Sequence, residues 1–353
     1  MSEQSYPGGE YEPITRRGFL KLSGILGLGL AGLPAGASLA EAVRFNRQLY
    51  KVSISRPEMG TIVSMTLFND SKDQAHEAVE LAFKEIARLS KLMSRYDSDT
   101  PVFQLNREGL ITEVPPELTF VVKKSLEYHK NSNGVFDITV KPLIDAFKDL
   151  AQGPNGLSGC EEKIRKLLPL VDARGIIMAG NSIGFRKAGM GITLDGIAKG
   201  YIVDKAMSVL QSNGVQNALI NAGGDIRTIG TKGDHSPWRI AIEDPHKKHN
   251  YPDIITVKNS AIATSGNYEV FFDREKIHHH IVNPQTGLSP LMNGSVSVQA
   301  ATTMEADALS TTVFTLDPMT GLKMIKSRPH CEGLIVTRNN IKIKSPGWKS
   351  LSV

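Results

Sequence analysis

A chain of 353 residues with 41% hydrophobic and 22% charged side chains has the composition of an ordinary globular protein, which excludes a disordered or fibrous chain. Its net charge of +5 comes from scattered Lys and Arg rather than from basic runs interleaved with aromatics, so no nucleic acid partner is expected. Past the N-terminal segment no stretch reaches the roughly 18 uninterrupted apolar residues that a spanning helix needs.

The segment Thr15-Arg16-Arg17-Gly18-Phe19-Leu20-Lys21, followed by a soft Gly- and Ala-rich apolar stretch to about position 39, resembles a twin-arginine export signal. Ala35-Gly36-Ala37 and Ser38-Leu39-Ala40 offer small residues for cleavage; retention as an uncleaved membrane anchor is the alternative. The expected organisation is an export signal over 1–40, one compact domain over 41–353, and a periplasmic location. Cys160 and Cys331 could pair in an oxidising compartment, but two isolated cysteines are no disulfide framework, and two free thiols are favoured.

In chain order, 50–55 and 61–68 alternate as strands, and 70–93 has the helical recurrence Ala75, Val79, Ala82, Ile86, Leu89, Met93. A second helix is expected over 117–133, closed by Gly134, and a third over 160–168. The segment 183–194 alternates, turns at Gly189 and Gly191, and leads into a helix over 197–213 that Gly214 stops. Strands follow at 218–221, 227–230, 238–243, 254–257, 261–264, 278–282 and 295–299, then helices at 304–315 and 318–327 and a closing hairpin of 334–337 with 341–343. Strands and helices do not alternate strictly, so the fold class is α+β: one domain of mixed or antiparallel sheets with packed helices.

Four polar clusters beside apolar runs carry the chemistry. On a helix Asp307 and Thr311 stand one turn apart and can offer a carboxylate and a hydroxyl to one ion, for which Mg²⁺ is suited; equally, Asp307 could pair on a solvated face. Gly196 and Lys199 lie where a helix begins, a place that favours an anion, with a buried Lys–carboxylate pair as the plainer alternative. Asn221 to Asp225 ends a strand in two glycines, which lets backbone approach a ligand or simply makes a hairpin turn. Phe136, in Gly134-Val135-Phe136-Asp137-Ile138-Thr139, is either core or a stacking platform. Of His278, His279 and His280, neighbours on a strand would face opposite ways, so they cannot share one metal; His280, before Asn283-Pro284, is the candidate acid or base.

Taken in order, Met59-Gly60-Thr61, Met93-Ser94-Arg95-Tyr96, Gly134 to Thr139, Gly196 to Gly200, Asn221 to Asp225, Thr264 to Tyr268, His280 to Pro284 and Ala306 to Thr312 resemble the ApbE family of FAD:protein FMN transferases. The resemblance implies transfer of FMN from FAD to a Ser or Thr hydroxyl of another protein, with release of AMP. It implies Mg²⁺ held by the Gly196 carbonyl, Asp307 and Thr311, and an FAD pocket lined by Met59, Val135, Phe136, Asp137, Lys199, Asp225 and His280. His280 and Asp307 would be catalytic. The acceptor would carry a motif close to Asp-(Gly/Ser)-x-(Thr/Ser)-Gly-Ala-Thr, which this chain lacks, and would plausibly be a membrane redox subunit. Many relatives read Asp-Leu-Gly-Gly where this chain has Thr193-Leu194-Asp195-Gly196, so contacts at Thr193 and Asp195 do not carry over. Hydrolysis of FAD to FMN and AMP, or FAD binding without turnover, are the competing readings.

Overall fold

The computed structural model describes residues 14–15, 39–46, 48–153, 156–157, 159–246, 250–267, 271–273 and 277–351. The twin-arginine segment, with most of the expected signal, lies outside the described residues. Among the described residues no helix is long and apolar enough to cross a membrane.

Nine strands form the main sheet among the described residues, and they lie side by side in chain order. Numbered along the chain they are β1 (Leu39–Arg44), β2 (Tyr50–Glu58), β3 (Thr61–Asn69), β4 (Asn217–Ala222), β5 (Asp225–Ile229), β6 (Ala261–Gly266), β7 (Asn293–Ala300), β8 (Glu332–Thr337) and β9 (Lys342–Lys344). Every neighbouring pair is antiparallel. The long insertions that carry the helices fall between β3 and β4 and between β7 and β8. This is the expected α+β class, with antiparallel pairing throughout the sheet.

The helices are α1 (Lys72–Met93), α2 (Pro101–Glu108), α3 (Pro116–Asn131), α4 (Lys141–Gln152), α5 (Cys160–Leu167), α6 (Ala198–Ser212), α7 (Thr303–Phe314) and α8 (Pro318–Lys326). Helix α1 starts where the Ser71 hydroxyl accepts from the Gln74 N–H. It buries Ala75, Ala78, Val79, Ala82, Ile86 and Leu89 against Val63, Met65 and Leu67 of β3 and against α6. The other face of the sheet is covered by a short antiparallel pair, Trp238–Ala241 with Ile254–Val257, over Phe68, Ile262 and Val336. Period-two alternation in β3 thus sends Met65 and Leu67 to the helical layer and Phe68 to the opposite one. Helix α7 is buried nearly all round, so it runs through the interior rather than along the surface.

Two expectations are corrected. Residues 278–282 are not a strand: His279 makes only an isolated bridge to Phe271. The reason is topological, since β6 already pairs with β5 and β7, and β7 with β6 and β8, leaving no open ladder for the connecting segment. The alternation over 183–194 is also only partly a strand. Ser182–Phe185 joins a small sheet with Leu110–Ile111 and Ile176–Ala179, whereas Met190, Ile192 and Leu194 are buried along an extended segment outside any ladder. Helices α2 and α4 had no expected counterpart; Thr100 caps α2 and Pro101 opens it. Cys160 and Cys331 are buried and unpaired, as the sequence suggested.

Candidate active site

One end of the sheet gathers the turn between β2 and β3, the turn between β4 and β5, the end of β6 and the start of β7. Met59 and Gly60 both take positive φ, 53° and 71°, the handedness that a two-residue hairpin requires. Gly223 and Gly224 do the same at 58° and 96°. A Cβ on Gly223 would fall 2.5 Å from the Thr61 Oγ1, so the two turns are pressed together. The Asn221–Asp225 segment is therefore a hairpin turn, and it delivers Asp225 to the first position of β5, where the residue is 1% exposed.

Helices α6 and α7 cross over this end. A Cβ at Gly200 would lie 2.5 Å from the Thr303 carbonyl oxygen, so only glycine lets α6 approach α7 so closely. Asp204, one turn further along α6, accepts from the Thr303 and Met304 N–H groups at 2.9 Å each and so caps α7 from its neighbour. This crossing sets the Lys199 Nζ 3.6 Å from the Asp225 Oδ2 and lets the Gly200 N–H donate to the Asp307 Oδ2 at 3.0 Å. Gly196 meets Thr311 so closely that a Cβ there would sit 3.1 Å from its Oγ1. Ser265, at the end of β6, completes the floor, with its Oγ 2.8 Å from the Ser310 Oγ and 3.2 Å from the Thr311 Oγ1.

The electrostatics of this cluster are those of a site short of positive charge. Burial raises the Asp225 carboxyl to about 6, against the lowering effect of Lys199. Asp307 is pushed well above the usual carboxylate range, first by burial and then by the charge of Asp225. The two carboxyls sit close enough that the charge of one raises the other. The Asp225 Oδ2 is buried with no hydrogen-bond donor in range. The Asp307 carboxyl, the Thr311 hydroxyl and the Gly196 backbone, brought together beside the desolvated Asp225, are of the oxygen type that could hold a hard cation. Among the described residues no group of three or more His, Cys, Asp or Glu side chains converges as a transition-metal centre would.

The segment leading into α6 is tied down on both sides. Asn106 accepts from the Ile192 N–H at 2.6 Å and donates to the Ile192 carbonyl at 2.9 Å, and the Thr193 N–H donates to the Ile138 carbonyl. Asp195 lies 3.4 Å from the Nε of the buried Arg95, whose Nη1 also reaches Asp145 at 3.1 Å. Asp195 is thus part of an ion-pair network centred on the buried Arg95, beside the exposed Tyr96. Val135 and Phe136 are buried, and the Phe136 ring packs edge-on against Tyr128. Asp137 accepts from the Thr139 and Ala173 N–H groups and pairs with the His129 Nδ1 at 3.1 Å. His129 is raised by that bond to Asp137. A cavity of about 750 Å³ opens beside this pair, lined by His129, Asp137, Asp172, Arg174, Pro284 and Gln285; Lys199, Asp307 and Thr311 do not line it.

His280 is half-buried on the loop that replaces the expected strand, with its ring 6.4 Å from that of His279. His279 is fully buried: its Nε2 lies 3.0 Å from the Pro290 carbonyl oxygen, and Ser289 bridges its backbone. His278 stacks on Phe147. The three histidines thus part ways: His278 and His279 are taken up by packing, and His280 is the half-buried one of the three nearest in sequence to Asn283 and Pro284. Tyr268, at the end of the Thr264–Tyr268 segment, lies outside the described residues.

The structure therefore brings Gly196, Lys199, Asp225, Asp307 and Thr311 together, sets Met59 at the same end of the sheet, and places Val135, Phe136 and Asp137 behind the Thr193 segment. Sequence reasoning missed Asp204, and it gave no role to Ser265, Ser310 or Arg95 although all three lie in segments that carry the family resemblance. Gly200 and Asp204 at helical spacing were a usable sign of a close helix crossing.

The fold is an antiparallel α+β domain that sets a lysine at a helix start beside two buried carboxyls. The chain belongs to the ApbE family, whose pattern matches residues 59–335. It is 28% identical over 306 residues to the FAD:protein FMN transferase of Vibrio cholerae, covering 84% of this chain and 90% of that one. With the FAD:protein FMN transferase of Haemophilus influenzae it shares 25% identity over 345 residues, 92% of this chain and 98% of the relative. Among solved structures it is similar to the ApbE protein of Thermotoga maritima, with a TM-score of 0.76 and 28% identity over 84% of this chain and 97% of that one. The flavin transferase ApbE from Vibrio cholerae superposes with a TM-score of 0.71 at 25% identity, covering 87% and 98%.

Proposed function

We propose that this protein is a Mg²⁺-dependent FAD:protein FMN transferase that acts on a partner flavoprotein. The observation that carries the reading is the convergence of Gly196, Lys199, Asp307 and Thr311 from separate segments of the chain onto one end of the sheet. Gly196, Asp307 and Thr311 would hold Mg²⁺, which supplies Lewis-acid neutralisation of a diphosphate. Lys199 adds a positive charge to the FAD diphosphate at the start of α6, where the helix dipole also favours an anion. In the reaction the acceptor Ser or Thr oxygen attacks the FMN phosphorus, the bond to the bridging oxygen breaks, and AMP leaves. His280 takes the hydroxyl proton. The buried Val135–Asp137 segment and the Met59 turn would flank the dinucleotide.

The family resemblance also supports an acceptor with an Asp-(Gly/Ser)-x-(Thr/Ser)-Gly-Ala-Thr-like motif, plausibly on a membrane redox subunit. The twin-arginine segment supports export to the periplasm, with 1–40 as signal and 41–353 as the transferase domain. Incubating the protein with FAD, Mg²⁺ and a peptide bearing the motif, and then weighing the peptide, tests the reading. A mass gain of one FMN, dependent on Mg²⁺, is expected. Release of free FMN with no peptide product would replace transfer by FAD hydrolysis.

A further inference from the structure

We infer that Asp225 is a positioning residue that acts on the FAD diphosphate through Lys199, rather than a group that touches the dinucleotide itself. This rests on the transferase reading above.

Asp225 is 1% exposed, while the Lys199 side chain keeps 31% of its surface open. A ligand in the site can therefore meet the ammonium but reaches the carboxylate only through it. The Asp225 Oδ2 has no hydrogen-bond donor in range, and Lys199 Nζ at 3.6 Å is the cation placed to answer it. The carboxylate is fixed rigidly from behind. Asp225 is the first residue of β5, its register against Ala222 set by the Gly223–Gly224 turn, and that turn is wedged against Thr61. Lysine, by contrast, is a flexible stem with four rotatable bonds, and without a fixed counter-charge its ammonium would sample many positions. Holding it beside Asp225 directs a point charge to the start of α6 before any ligand arrives.

The charged groups around the same carboxylate are Lys199 and Asp204 of α6 and Asp307 of α7. Asp225 thereby ties the residue that meets phosphate to the residue that would meet the cation. Its effect on the ligand should vanish when Lys199 is gone, and that separates positioning from mere packing of the hairpin turn.

The test is a double-mutant cycle on FAD affinity, measured without Mg²⁺ by quenching of flavin fluorescence. Asp225→Asn and Lys199→Met should each weaken FAD binding about tenfold, the loss expected of one charge-assisted contact. The double variant should bind no worse than Lys199→Met alone, and melting of all four proteins should show the fold retained. Additive losses in the double variant, or undiminished FAD affinity in Asp225→Asn, would overturn the inference. If Asp225→Asn does not fold, Asp225→Ser, which leaves room for water, takes its place in the same cycle. Failure of the wild type to bind FAD at all would instead sink the transferase reading, so the two outcomes are told apart.

Discussion

The carboxylate–lysine cluster and the histidine loop leave the same end of the sheet, yet they are held by opposite means. Lys199, Asp225 and Asp307 stand on two helices and a strand held by close approach at glycines and a helix cap: Gly200 against the Thr303 carbonyl, Gly223 against the Thr61 side chain, and the Asp204 carboxylate capping α7. His278 to Val282 has no ladder, and its place is set by side chains, through His279 on Pro290, Ser289 on the His279 backbone, and His278 on Phe147. The first region is prebuilt and stores unfavourable charge. The second lies outside any ladder and buries an imidazole held neutral. A transferase that must fix a diphosphate and yet admit a protein hydroxyl has use for both.

Removing the acid from the rigid region should give the largest effect. Asp307→Asn keeps an acceptor for the Gly200 N–H but removes the charge offered to the cation, so transfer should fall about 10³-fold. Because the variant also relieves repulsion with Asp225, its melting temperature without ligands should not drop. Wild-type transfer at limiting Mg²⁺ would remove Asp307 from the site.

On the histidine loop, His280→Ala should lower kcat about 10²-fold while FAD affinity stays within a few-fold, since a proton acceptor acts as the bond to phosphorus forms. Recovery of the wild-type rate at saturating FAD would make His280 a binding residue only.

Stability against pH sharpens the contrast, because the two regions carry opposite slopes. Burial lowers His279 to about 4, so the unfolded chain takes up a proton that the folded one refuses. Its contribution is fully present above pH 6.5 and is lost as pH falls towards 4, a change on the order of 3 kcal/mol. Asp225 is raised to about 6, so its contribution is present below the unfolded value near 3.8 and is lost as pH rises through 6. Over the same window the two oppose each other in the ligand-free protein. Denaturant midpoints from pH 4 to 7 should therefore rise more steeply with pH in Asp225→Asn than in wild type, and should fall with pH in His279→Gln. Parallel profiles for all three proteins would refute the assignment.

The smallest expected effect tests the backbone lock. Gly200→Ala places a Cβ against the Thr303 carbonyl and should destabilise the fold by about 1–3 kcal/mol, read from urea unfolding. An unchanged midpoint would show that α6 and α7 can separate at little cost, which would weaken the distinction between the two regions.

Much of this architecture was legible along the chain. The recurrence Ala75, Val79, Ala82, Ile86, Leu89 fixes α1 because helical spacing and burial agree there, and Met65 and Leu67 alternate with Thr66 as a one-sided strand must. The pairing of Asp307 with Thr311 was visible as a single helical turn, and the glycine pair after Asn221 as a hairpin. The segment 278–282 misled because its pattern suits a strand, but a strand also needs a partner, and β6 and β7 had already taken each other. Helices α2 and α4 escaped because their starts, Thr100-Pro101 and Lys141-Pro142, each carry a proline that also suits a turn.

By itself, then, the sequence determined local periods, turns and the residue types able to meet phosphate and a hard cation, because these depend on neighbours a few positions apart. Only the tertiary structure decided which of them meet. That Asp225 meets Lys199, that Ser265 reaches Thr311, and that Asp195 is drawn to Arg95 all depend on contacts between distant segments. Such contacts follow from where backbone can approach its neighbours closely, at Gly200 against the Thr303 carbonyl and at Gly223 against the Thr61 side chain above all, and no spacing along the chain encodes that distance.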